Sequence, residues 1–227
     1  SIDLSSNTNL TNLELGNSGS GQTNQMTSID LTNNVSLDRI ALGNIGLSSI
    51  DLSKNINLTN LYLSGNQFTS LDVSNNSELE TIYASHNQIP SLDFTNNAKL
   101  TFLELQDLGL TSLNVANSPE LIRLYVMYNP LNSLDVSNNN KLTTLYASSQ
   151  TANLSCIKVN SDQLANIPSD WTKDESAEYL TECTVCITES NVLSGSLTQT
   201  MTIGSPITPT EIILSSILFF LDLALPV

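Results

Sequence analysis

Positive charge is scarce in this chain. Seven lysines and arginines stand against 22 aspartates and glutamates in 227 residues, a formal net charge of −15. That balance excludes the clustered basic footprint by which proteins neutralise phosphates, so nucleic acid is not an expected partner. Aromatic residues make up only 5%, and a core must therefore be built from aliphatic side chains. The single histidine, His86, stands in a predicted corner beside Asn87 and reads as a surface turn residue. There is no G-x-S-x-G, no H-E-x-x-H and no P-loop, so neither catalysis nor a cofactor is expected. The one long apolar run, Ile212 to Val227, is interrupted by Asp222. It falls short of the roughly 20 residues that cross a bilayer, so no clear membrane span is expected.

Cysteine is also rare, with three residues, two of them in Cys183-x-x-Cys186. Alone, that spacing suggests a redox pair or half a zinc site. Context supports neither: no second pair or nearby histidine accompanies it, and no βαβ pattern surrounds it. Few lysines and many Asn, Ser and Thr residues suit an extracellular setting.

What the chain has in abundance is periodicity. The tetrapeptide Ser-(Ile/Leu)-(Asp/Asn)-(apolar) begins at Ser28, Ser49, Ser70, Ser91, Ser112 and Ser133, a period of 21 residues. A further copy starts at Ser1, with six extra residues before the next register. Such a period marks a stacked array in which each unit buries its apolar side only against its neighbours. The second half of each unit carries L-x-x-L-x-L-x-x-N-x-(apolar), as in Leu58 to Phe68, and the first half is a shortened echo. Alternation such as Leu61-Tyr62-Leu63 or Leu71-Asp72-Val73 has the period of a short strand with one buried face. The expectation is a right-handed, β-rich leucine-rich-repeat solenoid of seven coils, with about two short strands per repeat and little or no helix in the repeats.

Stacking at the inter-strand spacing, about 4.8 Å, makes columns of equivalent residues. Two inward columns are Leu13, Ile40, Leu61, Ile82, Leu103, Leu124, Leu145 and Leu10, Leu37, Leu58, Leu79, Leu100, Leu121, Leu142. Each such side chain, fully buried, is worth roughly 1.5–3 kcal/mol. A corner column runs Asn7, Asn34, Asn55, Asn76, Asn97, Ser118, Asn139. A buried asparagine there is expected to bond the backbone of the adjacent coil where the chain bends.

These repeats resemble the short, internalin-like leucine-rich repeats of secreted and surface proteins of Bacteroidetes (flavobacterial) bacteria, in which SLDVSNN and LTxLYxSxNQ recur. The resemblance covers residues 1–153, the repeat array. It also implies a C-terminal cap over residues 154–183, which break the register and hold the only tryptophan, Trp171. In the family a cysteine after the last leucines pairs with one beyond an aromatic-containing loop, which here implies a Cys156–Cys183 disulfide and leaves Cys186 to a partner outside this chain. Residues 184–211 alternate apolar and Ser/Thr residues and resemble the opening strands of an Ig-like module, or a linker, cut short. The tail 212–227 reads as a membrane anchor, a stray strand or a reading-frame artefact, with the last two favoured. Ser1 enters mid-motif without an initiating Met or signal peptide, so the expectation is a piece of a larger polypeptide.

Two surfaces are candidates for function. The outward column of the longer strand reads Glu14, Ala41, Tyr62, Tyr83, Glu104, Tyr125, Tyr146, flanked by Phe102 and Arg123. Aromatic and arginine enrichment marks binding patches, so Tyr62, Tyr83, Phe102, Glu104, Arg123, Tyr125 and Tyr146 form the candidate face for a protein or glycan ligand. The bland alternative is that tyrosines favour strands and stack on one another. The shorter strand carries Asp3, Asp30, Asp51, Asp72, Asp93, Asn114, Asp135. Like charges so close should raise one another's pKa unless offset, and the Ser/Thr columns before and after them are the expected donors. A structural hydroxyl–carboxylate ladder is the favoured reading. A calcium stripe at Asp51, Asp72 and Asp93 is the sharper one, set back by the absence of a glycine-rich calcium repeat. Glu14 and Glu104 share a column four coils apart, about 19 Å at the strand spacing. That is too far for a glycosidase pair.

Overall fold

The computed structural model describes residues 2–16, 26–152 and 154–183. The chain divides into two compact units, Ser1–Val185 and Cys186–Val227, and the described residues all lie in the first. The expected truncated module at 184–211, the apolar tail 212–227 and Cys186 lie outside the described residues.

Every coil contributes one short strand to a single parallel sheet. The strands are β1 (Asn12–Glu14), β2 (Arg39–Ala41), β3 (Asn60–Tyr62), β4 (Thr81–Tyr83), β5 (Phe102–Glu104) and β6 (Arg123–Tyr125). They are followed by β7 (Ser133–Asp135), β8 (Thr144–Ala147), β9 (Cys156–Lys158), the helix α1 (Ser161–Ala165), β10 (Trp171–Lys173) and β11 (Glu178–Leu180). The eight-stranded sheet runs β1-β2-β3-β4-β5-β6-β8-β10. Its register is that of the repeat: Leu61 lies beside Ile82, and Ile82 beside Leu103. The middle residue of each strand points inward, and the column Ile40, Leu61, Ile82, Leu103, Leu124, Leu145 is fully enclosed at 0% exposure. Phe68 and Phe94 occupy aliphatic columns at the bends and are buried there. The expected leucine-rich-repeat solenoid, with almost no helix, is the observed fold.

The shorter face differs in detail from the expectation of a second strand in every coil. Only β7, β9 and β11 form a regular sheet there, in the order β11-β9-β7, and Asn114 adds an isolated bridge to Asp135. In the preceding coils the carboxylate of each ladder aspartate takes a backbone N–H of its own coil. Asp135, within β7, takes the N–H of Ser137 in the same way.

Amide side chains join the coils at both bends. Asn55, Asn76, Asn97 and Asn139 are buried. Each donates its Nδ2 to two carbonyls of the coil before, as Asn76 does to Leu52 (3.1 Å) and Asn55 (2.8 Å). Asn7 is exposed, because no coil precedes it among the described residues. A second amide series closes the other bend. The Oδ1 of Asn66 accepts from the N–H groups of Ile45 and Leu47, while its Nδ2 donates to Leu42 and Leu63. Asn129 repeats the arrangement three coils further along, with Leu108, Leu110, Leu105 and Val126.

Beyond β8 the register breaks. β10 adds to the end of the large sheet and sets Trp171 beside Leu145, with the indole 7% exposed. Asn160 caps α1 by accepting from the Gln163 N–H, while the Gln163 side chain accepts from the Asn160 N–H. Cys156, in β9, and Cys183, just past β11, are joined by a disulfide with Cα atoms 5.8 Å apart.

Candidate binding face

Tyr62, Tyr83, Glu104, Tyr125 and Tyr146 occupy the third position of neighbouring strands of the large sheet and lie side by side in register. All five are half-buried. Stacked coils bring the rings within van der Waals reach. Tyr62 and Tyr83 stack at 4.8 Å between centroids with planes 19° apart, and Tyr125 and Tyr146 at 4.5 Å and 13°.

Glu104 interrupts the column of rings, and Phe102 bridges the interruption. It sits two residues earlier on the same outward face and meets both tyrosine pairs diagonally. Its ring is edge-on to Tyr83 at 4.8 Å and to Tyr125 at 5.0 Å. Diagonal neighbours on one face are within reach of aromatic side chains. Phe102 is thereby 5% exposed. It was expected among the contact residues; lying between the two tyrosine pairs, it keeps little surface of its own.

Arginines close over the row. The Arg123 guanidinium lies 4.8 Å from the Phe102 ring centre, and that of Arg39 lies 4.7 Å from Tyr62. Arg39 also donates to Glu14 at 3.2 Å and to Asn12 at 3.4 Å. Sequence reasoning did not single it out. The available signal was its shared column with Arg123, four coils away and one coil before the first tyrosine. Glu104 accepts from the Ser85 hydroxyl at 3.2 Å. Burial among the rings, and then the Glu104 carboxylate, push the Tyr83 hydroxyl pKa up. The face is thus polar at its edge, with hydroxyls and one carboxylate above a ring row whose flat sides are largely taken by neighbours.

The acidic column has a different geometry. The Oδ1 atoms of Asp51, Asp72 and Asp93 each accept the N–H two residues on, from Ser53, Ser74 and Thr95, all at 2.9 Å. The Thr95 hydroxyl also donates to Asp93, at 2.5 Å. The residue two positions after each aspartate, and not the serine two positions before it, supplies the donors. The backbone bond to Ser53 holds Asp51 below the usual carboxylate range, and hydroxyls chiefly do so for Asp72 and Asp93. Repulsion from the next coil acts on Asp72 in the opposite sense and is the smaller effect. Among the described residues, no three His, Cys, Asp or Glu side chains gather closely enough to hold a metal ion. His86 Nδ1 lies 3.1 Å from Asp107 Oδ2, both side chains well exposed. Among the described residues no helix is long and apolar enough to cross a membrane.

Solved structures with this architecture come from bacterial leucine-rich-repeat proteins. The functional domain of InlJ from Listeria monocytogenes, described as including a cysteine ladder, is 27% identical with a TM-score of 0.59, covering 79% of this chain and 46% of that one. A leucine-rich-repeat protein of Leptospira interrogans is 16% identical, TM-score 0.52, covering 78% of this chain and 61% of its own. The Listeria internalin InlF is 19% identical, TM-score 0.50, covering 75% and 62%. This chain therefore spans less than two thirds of each. No protein-family model and no curated protein matches the sequence. The neighbours are bacterial internalin-like leucine-rich-repeat proteins, and their likeness bears out the repeat architecture. The disulfide fits an extracellular protein.

Proposed function

We propose that this chain is a non-catalytic binding module of a secreted or cell-surface bacterial protein, and that it recognises a protein or glycan ligand through the outward face from Tyr62 to Tyr146. The carrying observation is where the scarce aromatics lie. Four of the six tyrosines line one outward strip, underlain by Phe102 and flanked by Arg39 and Arg123, while the core is aliphatic. Exposed aromatic and arginine side chains on a rigid strand face are what recognition surfaces use. Residues 154–183 serve as the cap of the array.

A second reading is a stiff spacer with no ligand of its own. The face-to-face stacking of Tyr62 on Tyr83 and of Tyr125 on Tyr146 favours it, since ring pairs stabilise strands without any partner. Screening the chain against purified extracellular proteins and glycans separates the two. A binder retains a ligand that Tyr83→Ala/Tyr125→Ala loses and Tyr83→Phe/Tyr125→Phe weakens, the phenylalanines keeping the ring row intact. A spacer retains nothing.

A further inference from the structure

The bend closed by the corner asparagines carries a second ordered column. Two positions after the corner, four successive coils present Glu78, Lys99, Glu120 and Lys141, charges of alternating sign. Lys99 pairs with Glu78 and Lys141 with Glu120, and all four side chains stay 45–56% exposed. Each carboxylate uses only its Oε2 in the pair. Every ion therefore keeps capacity for a partner from outside, the carboxylates through a second oxygen and the ammonium groups through further N–H donors.

The column one position after the corner is apolar at both ends of this charged row. Before the row stand Val35, 48% exposed, and Ile56, 56% exposed. Beyond the row the cap continues the same bend. Gln163 donates its Nε2 to Val136 and Asn139 at 3.1 Å each, as Asn139 does to Val115 and Ser118 one coil earlier. Leu164, the residue after Gln163, is 42% exposed. Three of the six exposed large hydrophobic side chains among the described residues are thus on this one column. Between them, beside the charges, Ser77, Ala98 and Pro119 are exposed but short, which leaves the charged row open to close approach.

A row of four alternating charges is complementary to itself turned end for end. About a two-fold axis between the coils of Lys99 and Glu120, Lys99 meets Glu120 of a second copy and Glu78 meets its Lys141. Both copies step at the same inter-strand spacing of about 4.8 Å, so the row stays in register. One coil further out on either side, Ile56 meets Leu164 of the other copy. A copy lying parallel in the same register would oppose like charges instead. We propose that this bend is an isologous interface for a second copy of this chain, with four ion pairs across the axis and an aliphatic contact at each end. None of these residues belongs to the tyrosine strip, and no ligand there is required.

Sedimentation equilibrium of the 227-residue chain over a range of concentrations is the test, with circular dichroism to confirm that each variant is folded. The wild type dimerises reversibly, and more weakly as salt rises. Lys99→Glu opposes like charges at two symmetry-related contacts and weakens the dimer by about tenfold. Leu164→Ser, which touches no charge, weakens it by about fivefold. The deciding variant is Lys99→Glu/Glu120→Lys. It restores the pairs across the axis while breaking both pairs within the chain, so dimerisation recovers towards the wild-type level. A wild type that stays monomeric, a dimer indifferent to Lys99→Glu or to Leu164→Ser, or a double variant as weak as Lys99→Glu alone overturns the interface.

Discussion

The side-chain amide of Asn97 donates to the carbonyl of Asn76, 2.9 Å away and one coil earlier, and to that of Val73 at 3.1 Å. Both carbonyls also accept a backbone N–H of their own coil, so Asn97→Ala removes second bonds and orphans neither acceptor. The buried Oδ1 of Asn97 has no protein donor, and its removal offsets part of the loss. The expected cost is about 1–2 kcal/mol, read as a lower urea midpoint at unchanged slope.

Ser118 is the short member of that column. Its hydroxyl reaches only the Asn97 carbonyl, at 3.4 Å, where the asparagines make two bonds. Ser118→Asn should restore the second and stabilise the chain by about 1 kcal/mol. A fall in stability would show instead that this bend has no room for the larger side chain.

The aspartate column predicts an acid-sensitive fold. Asp3, Asp30, Asp51, Asp72 and Asp93 all titrate below their ordinary value when folded, held there by backbone and hydroxyl donors two residues on. Asp135 does so too, although burial opposes it, because the Ser137 donors and Lys158 outweigh that effect. Folded values below unfolded ones mean the contribution is complete above the ordinary aspartate pKa of about 3.9 and is lost as pH falls through the folded values. Melting temperature should therefore decline as pH drops below about 4. Asn114 already makes the same turn with an amide, accepting the Ala116 N–H at 3.0 Å. Asp72→Asn should thus keep the turn and flatten the acid limb, whereas Asp72→Ala should lower the melting temperature at neutral pH.

Reduction of Cys156–Cys183 frees a loop of 27 residues and unties β9 from the segment after β11. Chain entropy values that closure at roughly 3 kcal/mol. Thermal unfolding with and without reductant, checked against Cys156→Ser, should show the loss.

Tyr83 touches Tyr62 on one side and Phe102 on the other. Tyr83→Ala should cost about 0.5–1.5 kcal/mol for each ring pair beyond lost burial, while Tyr83→Phe should leave stability near wild type. Chemical denaturation of the two variants checks this, and it makes the phenylalanine change the cleaner probe of binding.

The columns were legible before any coordinates because a strict 21-residue period puts chemically equivalent residues on one line. The inward leucines, the asparagine corner and the row of tyrosines all follow from that. The cysteine pairing followed only from a resemblance. Asn66 stood in the repeat motif as its asparagine, but the bonds that it, Asn87 and Asn129 make at the second bend, and the closure of Arg39 over Tyr62, depend on how the coils stack.

Periodicity and side-chain alternation sufficed for the solenoid, since apolar columns have nowhere to go but the interior. Tertiary structure decided the rest. Phe102 became a buried bridge because diagonal contacts depend on how neighbouring coils stack, and the short face pairs as a regular sheet only at β7, β9 and β11.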